Sequence, residues 1–294
     1  MMIEKFLDYL LLEKNCSEKT VLNYGKDLRG FESFFKSLDN QLSWESVDSD
    51  MIRDWMESMM NRGNNATSVN RRLSALRSFY RFMMSRGYVE SSPLYGIVGP
   101  RKAKPLPVFL KESEMNALLD SCSWDLSDFS SLTAYTILLM FYHTGVRVSE
   151  LINMNDADVD MINDVVKVCG KGNKQRVVPF GAELKQAVAD YIAMRDSSVA
   201  VNGRALFVTS GGERLKYHQV YNMVKTNLAR VATVKKKSPH VLRHTFATAM
   251  LNNEAGLESV KKLLGHERLS TTEVYTHATF EKLKKVYAAA HPRS

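Results

Sequence analysis

The sequence predicts a mainly α-helical protein in two parts. An N-terminal four-helix domain comes first, then a mixed α/β domain of helices with a small antiparallel sheet. Three observations predict it. Apolar residues recur at helical spacing through residues 1–90. A basic, proline-rich stretch, GPRKAKPLPVF at 99–109, then breaks the pattern and reads as an extended spacer. Beyond it, two valine-rich runs flank a glycine-containing turn, as the strands of a hairpin do. With 294 residues, the chain suits two domains, at 1–98 and 110–294.

The elements follow in order. Ile3, Phe6, Leu7, Leu10 and Leu11 make the stripe of a first helix. Ser17 and Glu18 start a second, whose inner face is Val21, Tyr24, Leu28, Phe31, Phe34 and Phe35. Ser49 or Asp50 opens a third, closed by Gly63. Ala66 starts a fourth, with Val69, Leu73, Leu76, Phe79, Tyr80 and Met83 inward, and Gly87 ends it. After the linker, SEMNALLDSC and the apolar run 130–142 read as helices, the second ended by Gly145. Strands fall at 164–168 and 176–179, with a further extended piece at 205–209. Ser238 and Pro239 open another helix. Gly265 closes the helix carrying Val260 and Leu263, and Ser270 to Thr272 begin a helix with Tyr275 one turn inside. A tail helix at 279–290 presents Phe280, Leu283, Val286 and Tyr287 at helical spacing.

Composition excludes several classes. Cys16, Cys122 and Cys169 are scattered, without zinc spacing, which fits a reducing compartment. The N-terminus mixes acids into its apolar run and is no signal peptide. The longest apolar run, 132–142, is too short to span a bilayer, so no membrane insertion is expected. GKGNKQR lacks the GxxxxGK[ST] spacing of an ATP-binding loop. His240 and His244 stand four apart, but no third metal ligand has matching spacing, so no metal and no cofactor are expected.

Charge points to nucleic acid. The net charge is +8, yet residues 1–60 carry 7 Lys and Arg against 12 Asp and Glu, while residues 61–104 carry 9 against 1. Such a basic block suits a polyanion, since neutralised phosphates release counterions. Arg71, Arg72, Arg77 and Arg81 lie largely off the apolar stripe of the fourth helix, with few acids beside them in sequence. They are candidate DNA contacts, as are Arg101, Lys102 and Lys104 in the linker and Lys174 and Arg176 after the glycine turn. A solvated helix face with a basic linker is the bland alternative.

The chemistry sits in the second half. Arg147 follows the turn at Gly145, with Glu150 within reach as an ion-pair partner; Lys171 lies between Gly170 and Gly172 at a hairpin tip. His240 and Arg243, three apart, share a face near a helix N-terminus, where anions are favoured. His266 and Tyr275 complete the set. Two guanidiniums can hold a phosphate and its transition-state charge. A phenol of pKa roughly 10 can attack it once a base or a cationic site takes its proton. His240 suits the base, His266 a phosphate hydrogen bond, and Lys171 the protonation of a departing 5′ oxygen. Each residue alone has an ordinary structural reading; together they spell DNA strand cleavage through a phosphotyrosine.

The strings TGVRVSEL (144–151), GKGNKQR (170–176), HVLRHTFAT (240–248) and LGHERLSTTEVYTH (264–277) resemble the boxes of the tyrosine recombinase, or phage integrase, family. The size resembles its Xer branch. The spacings between the six positions, 24 from Arg147 to Lys171, 3 from His240 to Arg243, 23 on to His266 and 9 on to Tyr275, are similar to the family's. The resemblance implies a core-binding domain and a catalytic domain that clamp DNA between them. It implies a tetramer on two duplexes, half of it active at a time, and a Holliday-junction intermediate. It implies that the tail helix docks on a neighbouring subunit, with a helix packed on its own subunit as the alternative. The chain begins directly at the core-binding pattern, leaving no room for an arm-binding domain. That favours a cytoplasmic, nucleoid-associated Xer-type enzyme resolving chromosome dimers at a terminus site. Its tetramer would be homomeric or shared with a paralogous recombinase, and a septal DNA translocase is a candidate activator. A mobile-element integrase, a type IB topoisomerase-like enzyme and a non-catalytic DNA-binding module stay open as alternatives.

Overall fold

The computed structural model describes residues 2–103, 106–121, 123–170, 174–231, 233–234, 236–265 and 277–294, with backbone alone at 121 and 277–280. The chain divides into Met1–Pro105 and Leu106–Ser294, each with its own apolar core.

In the first unit, α1 (Met2–Asp8) runs into a single π turn (Tyr9–Glu13) and buries Ile3, Phe6 and Leu10. Then come α2 (Glu18–Leu38), α3 (Ser49–Asn61) and α4 (Ala66–Ser85). The core is dominated by aromatic rings. Phe31 lies 4.8 Å from Trp55 and Trp44 lies 4.5 Å from Phe79, centroid to centroid, in tilted pairs. Burying one such ring contributes about 2–3 kcal/mol, so the aromatic cluster holds the bundle together. Both α3 and α4 start where the sequence places them, at Ser49 and Ala66, each behind a capping side chain. Asp48 caps α3 by accepting from the Met51 N–H at 2.8 Å, and Asn65 caps α4 through the Ser68 N–H at 2.9 Å. Ser17 leaves α2 uncapped; its hydroxyl shares a hydrogen bond with Thr20 instead.

In the second unit, α5 (Glu112–Asn116) continues through a π turn (Ala117–Ser121). The hub is α6 (Phe129–Thr144), buried on every side from Ile137 to Thr144. It packs chiefly against α8 (Ala182–Ser198) and α10 (Pro239–Asn252). Around it lie α7 (Val148–Asn153), α9 (Tyr217–Leu228), α11 (Leu257–Leu264) and α12 (His277–Ala290). The sheet is antiparallel in the order β1 (Val159–Asp160), β2 (Val165–Cys169), β3 (Gln175–Pro179). The two-residue β1 has too short a pattern to read from sequence. In the β2–β3 register Val166 faces Val178 and Val168 faces Arg176. All four are buried, so Arg176 belongs to the inner face of the sheet. The extended piece near 205–209 makes isolated bridges, Asn155 to Ala205 and Val208 to Arg214.

Here α12 packs on its own unit, against α10 and α11, and buries Leu283, Tyr287 and Ala290. The Tyr287 hydroxyl meets His143 Nδ1 at 3.2 Å, and His143 Nε2 meets Glu183 at 3.3 Å. Past the helix, Arg293 grips Asp120 through two hydrogen bonds, of 2.9 and 2.7 Å, and also donates to Glu183. Helical spacing identifies an apolar face but not which molecule covers it; here the last four residues fasten it to the unit that carries it. Among the described residues, no helix is long and apolar enough to cross a membrane.

Candidate active site

Gly145 ends α6 in the left-handed conformation, φ +59°. A side chain there would also collide, since a Cβ would lie 2.5 Å from Phe246 and 2.9 Å from Leu264. Glycine is therefore required twice, by backbone angle and by close approach of α10 and α11. Two residues on, Arg147 occupies the N-cap of α7. The Glu150 carboxylate reaches back to the Arg147 N–H at 2.7 Å and accepts from its guanidinium at 2.7 Å. Arg147 stays partly open, with 37% of its side chain exposed.

Arg243 is buried on α10. It donates to the carbonyl of Gly145 and, at 2.6 Å, to that of Leu264 at the end of α11. Burial, then the charges of Arg147 and Arg176, pull its pKa down to about 9, against the opposing pull of Glu150. It remains charged at neutral pH, in a place short of negative charge, which is what an anion site requires. His240, one turn earlier, faces outward. Desolvation, then the charges of Lys236, His244, Arg243 and Arg147, hold its imidazole below the usual range. It is thus neutral at pH 7 and able to accept a proton. Arg243 is hydrogen-bonded to Gly145, two residues before Arg147, and His240 lies one turn before Arg243 on α10, so the three residues belong to one place. Pro239 sits in the first turn of α10 as read from sequence, but the Ser238 hydroxyl makes no capping bond.

Arg176 corrects the sequence reading that made it a phosphate contact. It is buried, and its fork donates to both oxygens of Glu150, at 2.9 and 2.8 Å, while Nε–H donates to the Leu263 carbonyl at 2.8 Å. Burial would raise the Glu150 pKa, but the hydrogen bonds and charge of Arg176, and then of Arg147, outweigh it and bring it to about 2. Glu150 thus joins Arg147 to buried Arg176, and sequence reasoning saw Glu150 only as a local partner of Arg147. Pairing with Glu150 spans two elements, and nothing in the string GKGNKQR reveals it.

Other candidates are distributed as follows. Lys171, His266 and Tyr275 lie outside the described residues, as does Lys104. The hairpin flanking Lys171 closes through the Gly170 N–H and the Lys174 carbonyl at 2.8 Å, and Lys174 is exposed. Arg101 and Lys102 are exposed. On α4, Arg71 forms a two-pronged ion pair with buried Asp27 of α2, and Arg72 Nε lies 3.8 Å from the same carboxylate. The scarcity of acids near these arginines is therefore a feature of sequence neighbours alone. Arg77 donates to the Ile97 carbonyl at 2.8 Å and Arg81 to that of Arg77 at 3.3 Å. Among the described residues no cluster of His, Cys, Asp or Glu is arranged to hold a metal ion.

Comparison with known proteins gives the class. The phage integrase family model matches residues 108–282, and the phage integrase N-terminal SAM-like domain model matches 3–87. The chain belongs to the phage integrase family and is by class a tyrosine site-specific recombinase. It is 37% identical to tyrosine recombinase XerC of Chlorobaculum parvum, over 99% of this chain and 94% of that protein. It is 39% identical to XerC of Staphylococcus aureus, over 99% and 96%. With tyrosine recombinase XerD of Oceanobacillus iheyensis it shares 34%, over 99% and 98%. Among solved structures, XerH recombinase bound to a palindromic difH substrate in a post-cleavage complex matches with TM-score 0.71 at 20% identity, over 98% of this chain and 94% of that one. The fold is shared: a SAM-like helical domain followed by helices around a small antiparallel sheet.

Proposed function

We propose that this recombinase cuts and rejoins DNA at a specific site through a 3′-phosphotyrosine on Tyr275, and that it resolves chromosome dimers at a terminus site. The observation that carries the reading is that Arg243 is hydrogen-bonded both to Gly145, two residues before Arg147, and to Leu264 at the end of α11, with His240 one turn earlier on the same helix. Arg147 and Arg243 hold the non-bridging oxygens of the scissile phosphate; two of the five N–H donors of Arg243 are spent on carbonyls, leaving others for a ligand. His240 takes the phenol proton as the Tyr275 oxygen bonds to phosphorus. The bond from phosphorus to the 5′ oxygen breaks, and Lys171 supplies that oxygen with a proton. The phosphotyrosine conserves the bond energy, so a 5′ hydroxyl of a second strand reverses the step and passes through a Holliday junction.

On this reading Met1–Pro105 and Leu106–Ser294 are the core-binding and catalytic domains. Arg77, Arg81, Arg101, Lys102 and Lys174 are the phosphate contacts that remain well placed; Arg71 and Arg72 share Asp27 and contribute less. The enzyme works as a tetramer in the cytoplasm, homomeric or with a paralogous recombinase, and a septal DNA translocase is a candidate activator. Similarity to both XerC and XerD relatives supports the Xer-type role.

The test is a covalent-adduct map. Protein-linked DNA ends are recovered and sequenced from cells carrying wild type or Tyr275→Phe. One dominant, tyrosine-dependent peak opposite the replication origin is the expected result. Peaks at element boundaries would make it a mobile-element integrase and scattered peaks a topoisomerase. Adducts that persist in Tyr275→Phe would show that another residue is the nucleophile.

A further inference from the structure

Arg176 ties together parts that sequence keeps far apart. Its two terminal nitrogens hold the Glu150 carboxylate, and Glu150 in turn holds the backbone N–H and the guanidinium of Arg147. Its Nε–H holds the Leu263 carbonyl. Arg243 holds the next carbonyl, that of Leu264. Hydrogen bonds thus link Arg147 through Glu150 and Arg176 to the Leu263 carbonyl at the end of α11, and the neighbouring Leu264 carbonyl is held by Arg243. The Arg176 side chain also lies under Gly265, where an added Cβ would meet its Cδ and a terminal nitrogen at 3.2 Å. Gly265 ends α11 in the left-handed conformation, at φ +66°.

We propose that Arg176 is a positioning residue for the recombination reaction, fixing Arg147 and the end of α11 relative to each other so that Arg147 and Arg243 share one phosphate. The proposal rests on the reading that these two arginines hold the scissile phosphate. Four features carry it. Arg176 is 6% exposed, too deep for a DNA backbone to reach. It comes from the inner face of β3, where the register opposite Val168 leaves no freedom to swing outward. A buried ion pair hydrogen-bonded at all three guanidinium nitrogens and both carboxylate oxygens is rigid, and a planar fork does what the single ammonium of lysine cannot. Its charge also acts on Arg243, sharpening that residue's need for an anion.

A positioning role differs measurably from a phosphate contact and from simple support of the fold. The experiment uses full-length protein and a nicked suicide duplex carrying the site recovered from the Tyr275 adduct map. Arg176→Lys is expected to leave DNA affinity and its salt dependence as in wild type, while the single-turnover cleavage rate at saturating DNA falls by at least about tenfold. Its loss is not expected to multiply with that of Arg147→Lys. A double variant close in rate to the worse single one means that Arg176 acts through Arg147. Weaker affinity with a salt slope reduced by about one, and an unchanged rate at saturation, would make Arg176 a phosphate contact and overturn the proposal. Rate losses that multiply would overturn it as well. Should Arg176→Lys not fold, Glu150→Gln breaks the same chain of contacts at its middle, and is expected to slow cleavage at unchanged affinity; a wild-type rate there overturns the idea. A wild-type control that forms no adduct on the duplex fails the phosphate reading itself, which separates the two failures.

Discussion

Single residues at the site carry several distinct physical demands. Gly145 must be left-handed and must admit Phe246 and Leu264, so Gly145→Ala is expected to cost about 2–4 kcal/mol and to disturb Arg147 two residues later. Gly87, also left-handed at φ +70° but facing open space, serves as control. Its alanine variant should cost only about 1 kcal/mol, as read by urea midpoints of the two proteins. Glu150 makes a pH prediction. Its folded pKa of about 2 lies below the ordinary carboxylate value, so its stabilisation is complete above pH 4.5 and is lost as pH falls toward 2. Wild type should lose more stability than Glu150→Gln between pH 5 and 2, by an amount on the order of 3 kcal/mol. Equal losses in both proteins would mean that Glu150 is not the titrating group. His240, held below the usual imidazole range, should keep cleavage independent of pH down to below pH 6.5, with an acid limb that disappears in His240→Gln.

Elements place these residues by the way they end. The carbonyls at the end of α11 would lack partners; Arg176 and Arg243 take two of them, so a helix C-terminus becomes the anchor for a cationic site. The tail shows the same economy. Tyr287 of α12 joins buried His143, itself paired with half-buried Glu183, and Arg293 clamps Asp120 and Glu183 beyond it. Arg293→Ala should therefore lower stability by about 2 kcal/mol and loosen α12, detected as faster hydrogen exchange at Leu283 to Ala290. Unchanged exchange there would mean that the helix is held by its apolar face alone. Deleting 279–294 should strip cover from α10 and destabilise the unit; if the truncated protein is as stable as wild type, this packing is unimportant.

At the scale of the whole molecule, two cores rather than one set the behaviour. Phe31, Trp44 and Phe79 centre the first, Phe141, Tyr142 and Phe246 the second. Each should fold when expressed alone, as Met1–Pro105 and as Leu106–Ser294, with its own cooperative transition. A fragment that stays unfolded would show that its core needs the other part. Brief proteolysis of full-length protein should cut first within 99–109, where Arg101, Lys102 and Ala103 are exposed and outside any helix or strand.

The sequence by itself determined the helical stripes, the breaks at Gly87, Gly145 and Gly265, the hairpin, and the motif strings that point to the class. These are local: periodicity, turn preference and motif spacing are written in neighbouring letters. Tertiary structure alone decided where the charges go. The sequence string cannot tell buried Arg176 from exposed Lys174, because strand register and the partner Glu150 settle it. Nor can it show that Asp27 of one helix claims Arg71 of another, or that the tail helix covers its own unit. In each case the deciding energy is a contact between residues distant in sequence, and only the folded chain brings them within reach.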